Sequence, residues 1–300
     1  MTSDLTLLHL LWYFLIYGFL GWCAEVAYHA VTCGQVINRG FLNGPICPIY
    51  GVGMVGVLCL LHPFVRGGSH ESLGLLFLAG ALLATLVELL GGWVLDRIYH
   101  TRWWDYSNKP FHFHGYICLQ FSLLWGFAIV LAAQEIHPFI RRMIVAPLPH
   151  TLSVVLLAML YAGFVTDLIL TVVMLNRMSR HLAELEEIQT AMRSVSDKLT
   201  DVIANTTISA AQKVGEGQVQ AALGKAELKE TVNERYESYQ REMERKRDEL
   251  QAKAEQLYAI LLRYRFAGRI VDAFPSLHSW DHTELMETLK ARWASRSRGH

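Results

Sequence analysis

The sequence predicts an all-α, polytopic membrane protein of about five transmembrane helices, followed by a cytoplasmic coiled-coil tail. Of its 300 residues, 52% are hydrophobic. Residues 1–176 contain seven Lys or Arg and eight Asp or Glu, whereas residues 177–300 contain twenty and nineteen. This contrast indicates a membrane domain followed by a soluble, helix-rich tail. Because each half is nearly neutral, the charge balance does not favour nucleic acid as a partner.

Five apolar segments are long enough to cross about 30 Å of hydrocarbon as helices. They cover Leu5–Val31, Ile46–Phe64, Leu73–Leu95, Ile117–Ala133 and Leu152–Leu175. The second is short and rich in Gly, so a helical hairpin that enters the membrane only partway is its alternative. Basic residues near the span ends number six on one side and three on the other. That asymmetry favours an N-terminus outside and a tail in the cytoplasm.

The first four spans contain an internal repeat. A shift of 71 residues aligns Gly21–Cys47 with Gly92–Cys118 without a gap, and seven positions are identical, against about two expected by chance. The sequence therefore predicts a duplicated helix–loop–helix unit, with copies at about residues 5–64 and 73–134. Because each copy has two spans, both loops lie on one membrane face, and transporters commonly place sites at repeat interfaces. A pseudo-symmetric packing unit without a site is the alternative.

Each copy carries an acidic residue and a histidine one helical turn apart, near the end of its first span. Glu25 and His29 share a helix face with Trp22, and Asp96 and His100 hold the equivalent positions in the second copy. Such a pair lies within side-chain reach and could hold or relay a proton, because His titrates near neutral pH. A helix end whose polar groups face headgroups and water is the alternative.

The two loops supply further polar candidates. The first, NRGFLNGPICPIYG, carries Arg39 and Asn43 among Gly and Pro residues. Irregular backbone of this kind is tolerated near the membrane only where protein or water satisfies it. The second loop carries Asp105 and His114. Its His-x-His pattern is too weak to predict a metal site, so we expect no metal and no other cofactor.

Two acidic residues lie inside the predicted spans. Glu88 belongs to the third span and Asp167 to the fifth. An unpaired charge in the hydrocarbon costs a few kcal/mol or more, so such residues usually face a cavity or a partner. We expect both to line a transport or proton path. A hydrogen bond that locks helices together, with the acid protonated, is the alternative.

The tail has the periodicity of a coiled coil. From Leu185 to Leu261, apolar residues recur at alternating steps of three and four, interrupted by KVGEGQVQAALGK. Two arms joined at Gly215 and Gly217 predict an antiparallel hairpin, and one long helix that pairs with another subunit is the alternative. Asp281–Trp293 predicts a short amphipathic helix. The predicted domains are a membrane domain (1–176, with the fifth span at 152–175), coiled-coil helices (177–270) and a C-terminal amphipathic segment (271–300).

Two long motifs carry a family resemblance. GWCAEV with NRGFLNGPICPIYGVG, followed by WWDYSNKPFHFHGYICLQFSLLWG, resembles the bacterial ABC-transporter permease family of the CmpB type over about residues 10–130. The segment RIVDAFPSLHSWDHTELMETLK resembles endings in the same family. The resemblance implies a multi-pass protein of the bacterial cytoplasmic (inner) membrane, and it brings no established substrate or catalytic residue. At His112 and His114 the chain departs from the family, where Asn is expected more often.

These observations predict a permease-like protein that takes part in transport of an unidentified small solute or lipid. The sequence has no GxxxxGK[ST] phosphate loop, so any ATP would be bound by a separate ATPase subunit. No nucleophile–base pair is recognisable, and we expect no enzyme activity. The alternative function is a non-transporting scaffold or sensor that recruits partners through the coiled coil. Membrane lipids and a second copy of the chain are further expected partners.

Overall fold

The computed structural model of the chain describes residues 6–67, 70–215, 222–263, 265–274, 276–279 and 282–297. Within those residues the regular structure is helical apart from four short strands. The helical runs that are long and apolar enough to cross a membrane are Leu7–Thr32, Ser72–Tyr99, Leu119–Val145 and His150–Lys198. A shorter apolar helix, Pro48–Leu60, covers part of the second predicted span. The predicted all-α membrane fold is therefore confirmed.

The first helix–loop–helix unit has defined ends that follow from its sequence. Thr6 caps the first helix, since its hydroxyl oxygen accepts a hydrogen bond from the His9 N–H. Gly34 ends that helix with a φ of 70°, a left-handed conformation that favours glycine. Pro48 starts the next helix, where its missing N–H costs little. The helices are α1 (Leu7–Cys33), α2 (Pro48–Leu60) and α3 (His62–Gly67).

The second unit repeats the order helix, loop, helix. Its elements are α4 (His70–Tyr99), β1 (Thr101–Arg102), β2 (His112–Phe113), β3 (Ile117–Cys118) and α5 (Leu119–Leu131). The helical run continues through π-helical turns at Ala132–Ile136 and Arg141–Val145, with α6 (His137–Ile140) between them. It therefore passes the predicted end of the fourth span at Ala133. Pro138 does not stop it, because Pro138 lies in the first turn of α6, where no helical hydrogen bond needs its N–H.

The C-terminal half continues with long helices. Its elements are α7 (His150–Gly215), α8 (Ala222–Arg263), α9 (Arg265–Ala273), β4 (His278–Ser279) and α10 (Thr283–Ser297). α7 includes both the fifth predicted span and the first predicted coiled-coil arm. The predicted turn at Gly217 lies outside the described residues, as does Asp281 at the predicted start of the last helix. The hairpin and its intermolecular alternative therefore remain predictions.

The chain divides into two compact units, Met1–Arg177 with Arg265–Met286, and Met178–Tyr264 with Glu287–His300. In the second unit, Arg292 of α10 forms two hydrogen bonds with the Glu255 carboxylate of α8, at 2.7 and 2.8 Å. The Arg292 guanidinium also lies 4.1 Å above the centre of the Tyr258 ring. A bidentate ion pair and a cation–π contact therefore hold α10 against α8.

The core of the first compact unit lies between α1, α2, α4 and the helices that follow them. α1 packs against α2, and α4 packs against both α2 and α5. The Trp12 indole donates a 2.7 Å hydrogen bond to the Ser153 hydroxyl, and the Tyr161 hydroxyl donates to the Leu11 carbonyl oxygen. These two bonds attach α7 to α1. Buried side chains at the centre of this core include Tyr13, Tyr17, Met54, Val57, Leu58 and Leu76.

Candidate functional site

The first loop, residues 34–47, is organised around the side chain of Asn38. Its amide oxygen accepts hydrogen bonds from the Trp22 indole N–H (2.7 Å) and from the Gly40 backbone N–H (2.9 Å). Its amide nitrogen donates to the Asn43 carbonyl oxygen at 2.7 Å. One side chain therefore attaches the loop to α1 and folds it back on itself, as Asn commonly does in turns.

Asp167 of α7 binds the other end of the first loop. Its carboxylate accepts hydrogen bonds from the backbone N–H groups of Gly44 (2.8 Å) and Asn43 (3.3 Å). The Asn43 side chain also donates to the Thr171 hydroxyl at 3.2 Å. A Cβ atom at Gly44 would lie 3.1 Å from the carboxylate oxygen, so glycine permits this approach. The structure thus brings together two predicted site residues, Asn43 and Asp167, and gives Asp167 a loop-anchoring position.

The segment after α8, residues 265–279, returns to the first loop, and we call it the clasp. Its residue Arg269 donates hydrogen bonds to the carbonyl oxygens of Gly40 (2.7 Å), Phe41 (3.3 Å) and Asn38 (3.5 Å). Burial lowers the pKa of Arg269, and the negative charge of Asp167 works against that lowering. An arginine stays charged in proteins, so a partly buried cation holds three carbonyl groups in one arrangement.

The clasp also contacts the second loop, residues 100–118. β4 pairs antiparallel with β1, and the Trp103 ring packs against Phe274 of the clasp, with ring centres 5.0 Å apart. Trp103 also packs against Phe41 of the first loop at 5.2 Å. The first loop also donates to the clasp, since the Arg39 side chain donates a hydrogen bond to the Ala273 carbonyl oxygen at 3.1 Å. The two loops and the clasp therefore form one contact surface.

The second loop contains many of its own stabilising contacts. β2 and β3 form a short antiparallel hairpin. The Trp104 indole donates to the Tyr116 carbonyl oxygen, and the Tyr106 N–H donates to the Gly115 carbonyl oxygen, both at 2.9 Å. Gly115 has a φ of 73° and lies against polar side chains of the same loop. Glycine is required there because a side chain would be strained and would meet those groups.

Asp105 belongs to this internal network of the second loop. Its carboxylate accepts hydrogen bonds from the Ser107 N–H (3.0 Å), the Ser107 hydroxyl (2.6 Å) and the Arg102 guanidinium (3.3 Å). Partial burial works to raise the pKa of Asp105, but the Ser107 hydrogen bonds and the Arg102 charge outweigh it, so the pKa lies below its usual range. The Arg102 guanidinium also lies 4.7 Å above the Tyr116 ring centre.

The predicted histidines have separate environments. His29 is buried, and its Nδ1 donates to the Gln35 carbonyl oxygen at 3.0 Å. His100 is exposed at the end of α4, and His114 is exposed in the second loop; each has a φ of 48°. His29 therefore supports the backbone beyond the end of α1.

Glu25 has partners other than the predicted histidine. The Tyr50 hydroxyl of α2 donates a 2.6 Å hydrogen bond to its carboxylate, and Arg39 lies 3.8 Å from the other carboxylate oxygen. The Tyr50 ring occupies the space beside Gly21, where any side chain on α1 would overlap it. Glycine and glutamate four residues apart on one helix therefore accept one tyrosine from the next helix.

The second helix–loop–helix unit has a similar arrangement at Asp96. The Tyr116 hydroxyl donates a hydrogen bond to the Asp96 carboxylate. The Tyr116 ring lies beside Gly92, where an added Cβ atom would come 3.0 Å from the ring. Here the tyrosine comes from the end of the second loop, whereas in the first helix–loop–helix unit it comes from α2.

Glu88 is the most deeply buried of the predicted acidic residues, with 7% of its surface exposed. One carboxylate oxygen accepts a 2.9 Å hydrogen bond from the Tyr106 hydroxyl. The other, Oε2, is buried and has no hydrogen-bond partner among the described residues. Trp125 of α5 lies beside the carboxyl group, and its ring packs edge-to-face on Tyr50, with centres 5.5 Å apart. Aromatic side chains thus connect the surroundings of Glu88 with those of Glu25.

Several residues of this site were not predicted from the sequence. Tyr50, Tyr106 and Trp125 surround the two glutamates. The sequence signal that could have identified these aromatic residues was their position inside the two long motifs. Arg269 and Trp103 make the clasp contacts, and no local sequence pattern marks a tail arginine as a partner of a loop 230 residues earlier.

Comparison with known proteins agrees with the resemblance seen in the motifs. A family model described as "Putative ABC-transporter type IV" matches residues 12–172, more than half of the chain. No curated protein matches, and no solved structure matches. The match covers both loops and all the predicted site residues, and ends before the predicted coiled coil.

Proposed function

Because the chain belongs to the family described as putative ABC-transporter type IV, a family of transport-related membrane proteins, we propose that it is a permease-like subunit that moves a small solute or a lipid. The path passes the carboxyl groups of Glu25 and Glu88 and the aromatic rings between them. Asp167, which was also expected to line this path, accepts hydrogen bonds from the first loop. The proposal includes no covalent catalysis.

The observation that carries this proposal is the second carboxylate oxygen of Glu88. An ionisable group inside a membrane span is costly and is rarely retained without a cavity, an ion or a substrate to use it. A group that only locks helices together would have its polar atoms paired. Tyr106 satisfies Oε1, and Oε2 is left available. Glu88 thus has the hydrogen-bonding capacity that a transport site requires.

The two helix–loop–helix units are proposed to be duplicated copies that together form the path. Gly21 with Glu25 and Gly92 with Asp96 each accept a tyrosine ring and its hydroxyl group. Glu88, on α4 of the second unit, lies beside the residues that reach Tyr50 of the first. The proposed path therefore follows the interface of the copies, where transporters with repeats often bind substrate.

A separate ATPase subunit is the proposed energy source, because the sequence contains no phosphate loop of its own. With an N-terminus outside and a cytoplasmic tail, as the basic residues favour, the loops and α8 face the compartment where such a subunit would bind. α8 carries alternating charge, including the Arg241–Glu237 and Lys246–Glu242 pairs, and presents a polar surface to a partner protein.

The clasp supports a second candidate function, a scaffold or sensor that recruits partners through its tail. The clasp follows α8 directly in the chain, and Arg269 and Trp103 connect it to both loops. A partner that moves the clasp would change the loops without any solute being moved. This function requires the clasp contacts and does not require Glu88.

The substitution Glu88→Gln distinguishes the two functions, because it removes the charge and keeps the shape. Cells that express the native chain, Glu88→Gln, Glu135→Gln or no chain would be compared by untargeted mass spectrometry of their internal and external solutes and lipids. Glu135 is an exposed acid of the π-helical turn after α5, so Glu135→Gln is a matched control. We expect the native chain and Glu135→Gln to change the same compounds.

We expect Glu88→Gln to return those compounds to the level of cells without the chain. Equal membrane abundance of the variants, measured by immunoblotting, shows that loss of protein is not the cause. A profile for Glu88→Gln that equals the native profile would contradict the transport proposal. If a clasp variant such as Arg269→Ala abolished the cellular effect while Glu88→Gln preserved it, the scaffold would be the better account.

A further inference from the structure

We infer that Glu88, with the aromatic side chains around it, forms a binding site for an organic cation, such as an ammonium or phosphonium group with apolar substituents. This inference rests on the proposed transport function and names its substrate class. Glu88 supplies the negative charge, and Tyr106 and Trp125 supply aromatic surface. The site lies between α4, α5 and the second loop.

The charge of the ligand follows from the unused acceptor. A buried carboxylate is stable only with a proton, a cation or several hydrogen-bond donors. Tyr106 gives Glu88 one hydrogen bond, the Trp125 side chain lies close enough to interact with the carboxyl group, and Oε2 has no hydrogen-bond partner at bonding distance among the described residues. Glu25 lies close enough for its own charge to act on Glu88. Two acidic groups in one region favour a cation and exclude an anion.

The arginines of the loops and the clasp have other partners. Arg39 contacts Glu25 and the Ala273 carbonyl oxygen. Arg102 contacts Asp105 and stacks on a tyrosine ring. The third, Arg269, donates to the backbone of the first loop. These three side chains therefore do not neutralise Glu88, and a cation from outside the chain can fill that role.

The aromatic surroundings determine that the cation is organic. Tyr106 stacks on Phe121 at 4.9 Å, and Trp125 packs on Tyr50 at 5.5 Å. All four rings are only partly buried. Aromatic faces attract cations that are weakly hydrated, including substituted ammonium groups.

A metal ion fits this site poorly. Calcium and magnesium prefer six or more oxygen ligands, and Glu88 with Tyr106 offers few. In the part of the chain that the structure describes, no group of three or more His, Cys, Asp or Glu side chains lies close enough to hold a metal ion. The combination of one free carboxylate oxygen with aromatic rings is suited to a bulky monovalent cation.

Equilibrium binding of radiolabelled tetraphenylphosphonium to the full chain in lipid nanodiscs tests this inference. We expect one saturable site per chain, with affinity at least tenfold weaker in Glu88→Gln and unchanged in Glu135→Gln. Trp125→Leu removes one ring and keeps the carboxylate, and we expect it to weaken binding about two- to fivefold. Thermal unfolding midpoints close to the native value would show that each variant is folded.

The outcomes separate this inference from the transport proposal. If the native chain shows no saturable binding, or if Glu88→Gln binds as tightly as the native chain, the cation site is wrong. The solute profiles could still depend on Glu88 in that case, and the transport proposal would stand with another substrate class. If binding depends on Glu88 while the solute profiles do not, the cation site stands and transport is contradicted.

Discussion

The two loops differ in what holds them, although they occupy equivalent positions in the chain. The first loop depends on distant parts of the sequence, since Asp167 of α7 and Arg269 of the clasp bind its backbone. The second loop has its own hairpin, and Trp104 and Asp105 stabilise it through neighbouring residues. The clasp also pairs with β1 of the second loop, but the hairpin and the Asp105 network lie within that loop. We therefore expect changes in the tail to affect the first loop more than the second.

This difference also assigns different roles to similar residue types. Asp167 accepts hydrogen bonds from two backbone N–H groups of the first loop, although it lies on a distant helix. Asp105 accepts three hydrogen bonds from residues of its own loop. Glu88 has an acceptor oxygen that no described residue uses. Asp167 and Asp105 thus bind loop groups, and under the proposed function the Glu88 oxygen binds the ligand.

The largest expected effect comes from removing the clasp arginine. Arg269→Ala deletes three hydrogen bonds to the first loop and should favour local opening of that loop by about 3 kcal/mol. Maleimide labelling of Cys47 would report the opening. Cys47 is buried at the end of the first loop, and burial raises the pKa of its thiol to about 12, so labelling of the closed loop is slow.

We expect Arg269→Ala to raise the Cys47 labelling rate about 100-fold, measured in a chain whose other cysteines are Ala. Cys118 holds the equivalent position in the second loop and is also buried. Its labelling rate, measured in a separate chain that keeps Cys118 and has Ala at the other cysteines, should change much less. Arg241→Ala is the control, because Arg241 is an exposed tail residue. A similar increase in the labelling rates of Cys47 and Cys118 in Arg269→Ala would show that the two loops are not held independently.

Gly115→Ala is expected to have a smaller effect, and to open the second loop instead of the first. The new side chain would adopt an unfavourable positive φ and would meet Asp105 and Arg102, at a cost of about 2 kcal/mol. Labelling of Cys118 should rise while Cys47 stays protected. Gly34→Ala has the same kind of positive φ with open space around it, so it should cost only about 1 kcal/mol and leave Cys118 protected.

The smallest expected effect is a pH dependence of the second loop. The pKa of Asp105 lies below its ordinary value, so its stabilising contribution is present above pH about 4 and is lost as the pH falls through the folded-state value. The side chain is 37% exposed, which limits the effect to about 0.5 kcal/mol. Thermal unfolding of the native chain and Asp105→Asn should converge in acid and differ at neutral pH. A constant difference would contradict this role.

The sequence predicted the parts of the fold that depend on local composition. Apolar length placed the membrane helices, and Gly34 and Pro48 mark the boundaries of the first loop as helix-ending and helix-starting residues should. The fourth helical run was predicted to end at Ala133 and continues to Val145. Polar residues and Pro138 indicated an end, but π-helical turns accommodate them within a continuous run.

The candidate site was only partly predictable, because its key contacts join residues far apart in the chain. Glu88 and Asp167 were recognised from the cost of charge in a membrane, and Glu25 from its spacing to His29 on one helix face. Their partners depend on packing: Tyr106 reaches Glu88, and two backbone N–H groups reach Asp167. The docking of Arg269 on the first loop requires a tail of over eighty residues to return, and no periodicity in the sequence encodes that return.

The central claim is that Glu88 lies on a transport path, and the rate of solute movement tests it most directly. The compound most changed in the solute profiles would be supplied in labelled form to sealed inside-out vesicles that contain the native chain, Glu88→Gln or Glu135→Gln, with their native membrane partners and ATP. We predict equal initial rates for the native chain and Glu135→Gln, and a rate at least tenfold lower for Glu88→Gln. A Glu88→Gln rate equal to the native rate would contradict the account.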